Sequence, residues 1–236
     1  MVQITASCTP TNSAANSATN LTLVFGNDSL LVLNKPSGLL SVPGRGEDKQ
    51  DCLSRRVQQR YPDALVVHRL DMATSGLLLM ARGIAMQRAL SSLFERRQVH
   101  KRYVAVVAGQ MNAEALPTGD ADGWQLIDLP IAVDWPRRPL RIIDAEHGKS
   151  SQTRWRSIGL NESMQTSRVE LEPLTGRSHQ LRVHLQAIGH PMLGDQLYAP
   201  ADILAKSPRL LLHATALAFV HPQTGEPLRF DCPPDF

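Results

Sequence analysis

Apolar residues in this chain fall in short runs punctuated by glycine, proline and small polar residues, and the spacing within each run separates strands from helices. Leu23-Val24-Phe25 and Leu30-Leu31-Val32-Leu33 predict two short strands joined at the turn signal Gly26-Asn27-Asp28. A long loop through Pro36, Gly38, Pro43, Gly44 and Gly46 follows. Asp51 to Tyr61 carries Leu53 and Val57 at helical spacing among arginines and glutamines, with Pro62 as its stop. Leu65-Val66-Val67 predicts a buried strand and Leu77-Leu78-Leu79-Met80 another, so Asp71 sits in a loop between strands. Ile84 to Gln98 has the clearest helical period, with Met86, Leu90, Leu93 and Phe94 recurring at three- and four-residue steps. A strand from Lys101 to Ala108 comes next.

Asn112 to Gly148 is rich in proline, glycine and aspartate and predicts short extended pieces between irregular turns. Strands at Thr153 to Ile158 and Ser167 to Glu172 lead to Thr175-Gly176-Arg177, then to a helix marked by Leu181, Leu185 and Ile188 and ended by Gly189 and Pro191. Leu210 to Val220 and Pro227 to Phe230 predict a closing hairpin. Strands outnumber helices without regular βαβ alternation, so the expected class is α+β, with a mixed, largely antiparallel central sheet flanked by helices and long loops. Ser7 to Asn20 is mostly Ser, Thr, Asn and Ala without apolar periodicity; residues 1–20 are expected to be a disordered tail before a single domain over 21–236.

Composition changes this picture little: 42% hydrophobic and 20% charged residues are ordinary for a globular chain. The charge is more telling. The formal balance is only +3, yet the stretch from His68 to Gly109 gathers Arg69, Arg82, Arg88, Arg96, Arg97, Lys101 and Arg102 against Asp71 and Glu95. Such a cluster attracts phosphates, although a solvated helix face has the same composition. Cys8, Cys52 and Cys232 are odd in number and widely separated, which suggests neither a disulfide framework nor a zinc site. The first 22 residues carry no charged side chain, so the basic opening of a secretory signal is missing, and no apolar run reaches membrane-spanning length. A reducing cytoplasm is the expected compartment, with no membrane partner.

The loop at Asp71 concentrates polar chemistry beside two apolar strands. An isolated Asp there most simply caps a turn. The run His68-Arg69-Leu70-Asp71-Met72-Ala73-Thr74-Ser75-Gly76, however, resembles the signature of the RluA-type pseudouridine synthases. Asn34-Lys35-Pro36-Ser37-Gly38-Leu39, Lys101-Arg102-Tyr103 and Gly176-Arg177-Ser178-His179-Gln180-Leu181-Arg182-Val183-His184 follow the same family's order, and four ordered motifs across about 150 residues are hard to obtain by chance. The resemblance extends from about Leu21 to Phe236. With Asp134-Trp135-Pro136 and Pro208-Arg209-Leu210-Leu211-Leu212-His213-Ala214 it is nearest to the dual-specificity member of the family, which modifies both 23S ribosomal RNA and the anticodon stem-loop of transfer RNA. Many relatives carry an N-terminal S4-type domain; only 33 residues precede Asn34, so none is expected here.

The resemblance implies an isomerase that breaks an N-glycosidic bond in structured RNA, rotates the flipped-out uracil and rejoins it through C5, without a cofactor. Asp71 is the implied catalytic carboxylate, acting either as nucleophile or by removing a sugar proton to give a glycal. Arg177 is implied to pair with Asp71 and keep it ionised; the plainer alternative is a structural ion pair. Tyr103 is implied to stack on the target base, where spacing alone favours a strand tyrosine packed on the sheet. Arg69 is implied to fill the space the base leaves, with Arg96, Arg97 and Lys101 on the RNA backbone and Leu181 lining the base pocket, though a plain core leucine fits equally.

His179 and His184 stand five apart, off the i, i+4 spacing of a zinc helix, so no metal is expected. With His68 they are expected to support the motif loops through hydrogen bonds, and His213 to be a strand residue near the core. The implied partners are 23S rRNA and tRNA, bound by a monomer. A glycosidase commonly needs a second carboxylate, absent from these motifs. A non-catalytic RNA-binding protein or chaperone with the same fold stays open.

Overall fold

The computed structural model describes residues 4–7, 21–111 and 122–236. It divides into two compact units, one formed by Met1–Lys101 with His213–Phe236 and the other by Arg102–Leu212.

In chain order the first unit opens with strand β1 (Ile4–Ser7), β2 (Thr22–Gly26), β3 (Leu30–Lys35), helix α1 (Leu53–Arg60), β4 (Ala64–Val66), β5 (Ser75–Arg82) and helix α2 (Ile84–Glu95). β6 (His100–Ala108) leads into the second unit, which continues with β7 (Gln125–Asp128), β8 (Ile131–Val133), β9 (Arg141–Ile143), β10 (Gln152–Asn161), β11 (Thr166–Pro173), α3 (Gln180–Ala187) and α4 (Ala201–Leu204). β12 (Leu212–Val220) and β13 (Pro227–Asp231) return the chain to the first unit.

In the first unit β3 pairs antiparallel with β2 and β5, β4 with β5, and β13 with β12. Two pairings are parallel, β5 with β12 and β1 with β13. In the second unit β6, β11, β10 and β7 follow one another antiparallel, and β8 and β9 form a separate hairpin. The class read from the sequence, α+β with a mixed, largely antiparallel sheet, is thus the class observed. The expected start of structure near Leu21 is corrected by β1, where Ile4 to Ser7 pair with Leu228 to Asp231. At four residues, of which Ala6 packs against the core, the strand is too short to show an apolar period. The rest of the tail, and the part of the middle region at 112–121, lie outside the described residues.

The first unit's core explains its strand sequences. β3 and β5 are buried along nearly their whole length, so they read as continuous apolar runs instead of alternating ones. Leu30, Val32, Leu77, Leu79 and Ala81 meet Met86 and Leu90 of α2 and Leu217, Phe219, Leu228 and Phe230 of the β12–β13 hairpin. α2 ends where Arg97 turns left-handed at φ 59. Gly76 is dictated by the parallel join of β5 to β12: its φ is +108, and a Cβ there would lie 2.4 Å from the Ala214 carbonyl oxygen.

Cys52 is a buried free thiol, whereas Cys232 is disulfide-bonded. A single bonded cysteine is no framework and has no spacing signature for the sequence to show. Among the described residues no helix is long and apolar enough to cross a membrane.

Candidate active site

The loop carrying Asp71 is fastened from one side by the segment that follows β3. Ser41 Oγ donates to the Leu70 carbonyl at 2.7 Å and accepts the Leu70 N–H at 3.1 Å. Ser37 Oγ donates to the Ala73 carbonyl at 2.7 Å, and the Gly38 N–H to the Met72 carbonyl at 2.9 Å. Asp71 itself closes a turn, its carbonyl accepting the Thr74 N–H at 3.1 Å. Every residue flanking this half-buried carboxylate is therefore tied to the 35–41 segment by its backbone, which restricts where Asp71 can go.

The centre of the clamp is Lys35, which the sequence reading did not single out. Its side chain has 0% exposure, and Nζ donates to the carbonyls of Pro36 and Leu39, each at 2.8 Å, and of Met72 at 3.1 Å. Burial lowers its pKa from the usual lysine value to about 7, against the opposing pull of the Asp71 charge. The signal was present. Lys35 shares the strand face of Leu31 and Leu33, and a lysine continuing a buried face is an anomaly.

His68 begins the same loop as a hydrogen-bond acceptor, as expected of a supporting residue. Its Nε2 takes the Leu79 N–H at 2.9 Å and its ring stacks on Phe94 with centroids 4.5 Å apart. Burial, helped by the nearby Lys101 charge, lowers its pKa to about 3, so it is neutral at physiological pH. His213 stands near the core as predicted, between Ser75 Oγ at 2.8 Å and the Cys232 carbonyl at 3.1 Å. Arg69 is exposed on the Asp71 loop, and Arg96 and Arg97 are exposed at the end of α2.

The remaining candidates belong to the second unit. Tyr103 is half-buried on β6, in register with Leu171 of β11. On that sheet Arg102, Arg154 and Arg156 surround the Trp124 ring, with Glu172 and Glu170 as their acidic partners. Arg177 is exposed, its Nε 3.4 Å from the Ser150 carbonyl, and Leu181 is buried at the start of α3. Asp71, Arg69, Arg96, Arg97 and Lys101 thus lie in one unit, and Tyr103, Arg177 and Leu181 in the other.

Gln180 holds the Arg177 turn and was missed as a role, though it stands inside the quoted motif. Its Oε1 accepts the Thr175 hydroxyl at 2.7 Å and the Arg177 N–H at 3.0 Å. Its Nε2 donates to the Gln152 carbonyl at 2.9 Å and to Thr153 Oγ1 at 3.0 Å. Thr153 passes its own proton to His184 Nδ1, and His184 Nε2 donates to the Leu129 carbonyl, both at 2.9 Å. Both ring nitrogens of His184 are thereby used by the protein. His179, left-handed at φ 58, meets Tyr198 Oη at 2.7 Å, and that oxygen also accepts the Arg141 N–H at 3.0 Å. Beneath them Arg182 and Asp195 form a bidentate pair at 2.8 and 2.5 Å, the side chains 4% and 1% exposed.

Residues 29–187 match the family described as RNA pseudouridylate synthase. The chain is 46% identical over 216 residues to the dual-specificity RNA pseudouridine synthase RluA of Escherichia coli K12, covering 92% of this chain and 94% of that protein. Against RluA of Vibrio vulnificus it is 46% identical over 206 residues, 86% of this chain and 78% of the other. Among solved structures, human RNA pseudouridylate synthase domain containing 1 superposes with a TM-score of 0.75 at 30% identity, over 95% of this chain and 87% of that one. The chain with this clamped aspartate loop and glutamine-held arginine turn belongs to the RNA pseudouridine synthase family.

Proposed function

We propose that the chain isomerises uridine to pseudouridine in both 23S rRNA and the anticodon stem-loop of tRNA, with Asp71 as the catalytic carboxylate. The observation that carries this reading is the fastening of the Asp71 loop, where each neighbour of the carboxylate is bonded to the Lys35–Ser41 segment. A carboxylate that must meet one sugar carbon needs such preorganisation. The reaction breaks N1–C1′, forms C5–C1′, releases the C5 proton and protonates N1. The uridine first leaves its stack at a cost of a few kcal/mol. Arg69, exposed two residues before Asp71, fills the vacated space, while Arg96, Arg97 and Lys101 bind phosphates. Arg177 pairs with the Asp71 carboxylate, Tyr103 stacks on the uracil and Leu181 lines its pocket. Residues 21–236 act as one catalytic domain, as a monomer, without metal, in the cytoplasm where both RNAs reside.

Similarity to named synthases over nearly the whole chain favours catalysis over RNA binding alone. The test is tritium release from C5-labelled uridine in an anticodon stem-loop and a 23S hairpin, with wild type and Asp71→Asn compared. Release from both RNAs by wild type alone is expected. Release from one narrows the substrate, and release from neither with binding intact returns the reading to a non-catalytic RNA-binding protein.

A further inference from the structure

The β8–β9 hairpin ends in a segment, residues 134–140, to which the chemistry above gives no task. Trp135 at its tip is 68% exposed, whereas Trp124 and Trp155 are 5% and 3% exposed. An indole that gives up burial on this scale, on a well-fixed element, marks a surface with a use. The segment is fixed. Buried Asp134 accepts Arg137 Nε and Nη2, each at 2.7 Å, and the Arg137 N–H at 3.2 Å. The Leu140 N–H reaches the Arg137 carbonyl at 3.0 Å, and the Asp134 N–H the Leu140 carbonyl at 3.1 Å. Arg138 lies over the indole, its Cζ 3.3 Å from the ring centroid.

Charge selects among possible occupants. From 134 to 141 the chain carries Arg137, Arg138 and Arg141 against Asp134 alone, and Asp134 is spent inside the segment. Arg137 remains 70% exposed despite its ion pair. An exposed indole with one face covered by the Arg138 guanidinium and the rest of its surface free fits an unpaired base with its neighbouring phosphates: the ring stacks without reading sequence, and arginine binds phosphate through a planar fork.

The hairpin is also joined to the Arg177 turn. The Arg141 N–H donates to Tyr198 Oη, and that hydroxyl bonds His179, two residues after Arg177. A nucleotide held at the tip is thereby placed relative to that turn.

We propose that Trp135, with Arg137 and Arg138, is a docking platform for an unpaired nucleotide of the RNA substrate. This rests on the reading that the chain acts on RNA. A platform of this kind favours loops over continuous duplex, because only an unstacked base offers its face.

The test uses the full chain, a labelled anticodon stem-loop and the same stem closed as a continuous duplex. Trp135→Ala is expected to weaken stem-loop binding by about tenfold or more, the range of base–aromatic stacking, and duplex binding much less. Trp135→Phe should recover most of the loss, and Leu160→Ala, an exposed apolar residue elsewhere in the same unit, should bind as wild type does. Iodide should quench wild-type tryptophan fluorescence and lose that access when the stem-loop binds. Stem-loop affinity of Trp135→Ala equal to wild type, equal losses for stem-loop and duplex, or a change in oligomeric state in place of RNA affinity would each overturn the platform. Wild type that binds the stem-loop but forms no pseudouridine would instead overturn the catalytic reading and leave the platform to the affinity data.

Discussion

The Lys35 ammonium donates to the carbonyl of Met72, the residue next to Asp71, and the Asp71 charge is what holds its pKa up while burial pulls it down to about 7. The two residues are therefore coupled twice, through backbone position and through charge. Replacing Asp71 by Asn removes the raising influence, so the Lys35 midpoint should fall below its wild-type value. NMR titration of the Lys35 ε-methylene checks this, and an unmoved midpoint would separate the two groups electrostatically.

The same shift sets a stability trend. The folded-state pKa lies below that of the unfolded chain, so between about 7 and the ordinary lysine value near 10.5 the unfolded state binds more protons. Stability should rise with pH through that window, and the full cost of a buried ammonium is carried below it. Lys35→Met should lose this slope and, by orphaning three carbonyl partners, lose about 1–3 kcal/mol at neutral pH. Urea midpoints from pH 6.5 to 9.5, approximate limits chosen around the shifted and ordinary values, compare the two proteins directly.

His68 gives the acid side of the profile. Its pKa is lowered to about 3 by burial, so between there and the usual histidine value near 6.5 the unfolded chain again binds more protons, and stability falls as pH drops. Protonation would also force Nε2 to surrender the Leu79 N–H. His68→Phe keeps the stack on Phe94 but removes the titration, so its stability should decline less steeply on acidification. Parallel acid slopes for the two proteins would assign the decline to other groups.

Much of this was legible because burial writes periodicity into sequence. The runs at 30–33 and 77–80, the α2 period and the Gly189 stop each report a packed face or a required turn. The candidate site was read differently. Asp71, Tyr103 and Arg177 stood out through the order of the motifs, since spacing alone favoured plain roles for the first two. What escaped was support that leaves no periodic trace: the Lys35 clamp depends on carbonyls in three residues, and the Gln180 hub joins positions 27 and 28 residues upstream. β1 escaped because four residues are too few to show a period.

Gln180 provides a test of positioning without chemistry. Gln180→Leu leaves the Arg177 N–H, the Thr175 hydroxyl and the Gln152 carbonyl without this partner, at a cost of about 1–3 kcal/mol. Since the Arg177 turn loses its fixed geometry, pseudouridine formation should fall more in kcat than in RNA affinity. Gln180→Glu keeps the two bonds into Oε1 and should recover part of the rate. Equal losses in both variants, matched by equal drops in Tm, would make Gln180 a matter of stability alone.

Tyr198 joins the hairpin to the His179 turn through one oxygen. Burial, the largest influence, raises its pKa to about 12, so the phenol keeps its proton while it accepts the Arg141 N–H and shares a hydrogen bond with His179 Nδ1. Above pH 10, where an unfolded tyrosine ionises, the folded state binds more protons, so stability should fall between about 10 and 12. Tyr198→Phe keeps the ring over which Arg182 lies but leaves the Arg141 N–H and His179 without their shared oxygen. It should lose that alkaline decline and about 1 kcal/mol at neutral pH. If the linkage positions the Trp135 tip, Tyr198→Phe should also weaken binding of the stem-loop more than of the duplex. A loss of stability with that preference unchanged would make the hydroxyl a local tie and leave the tip positioned by its own hairpin.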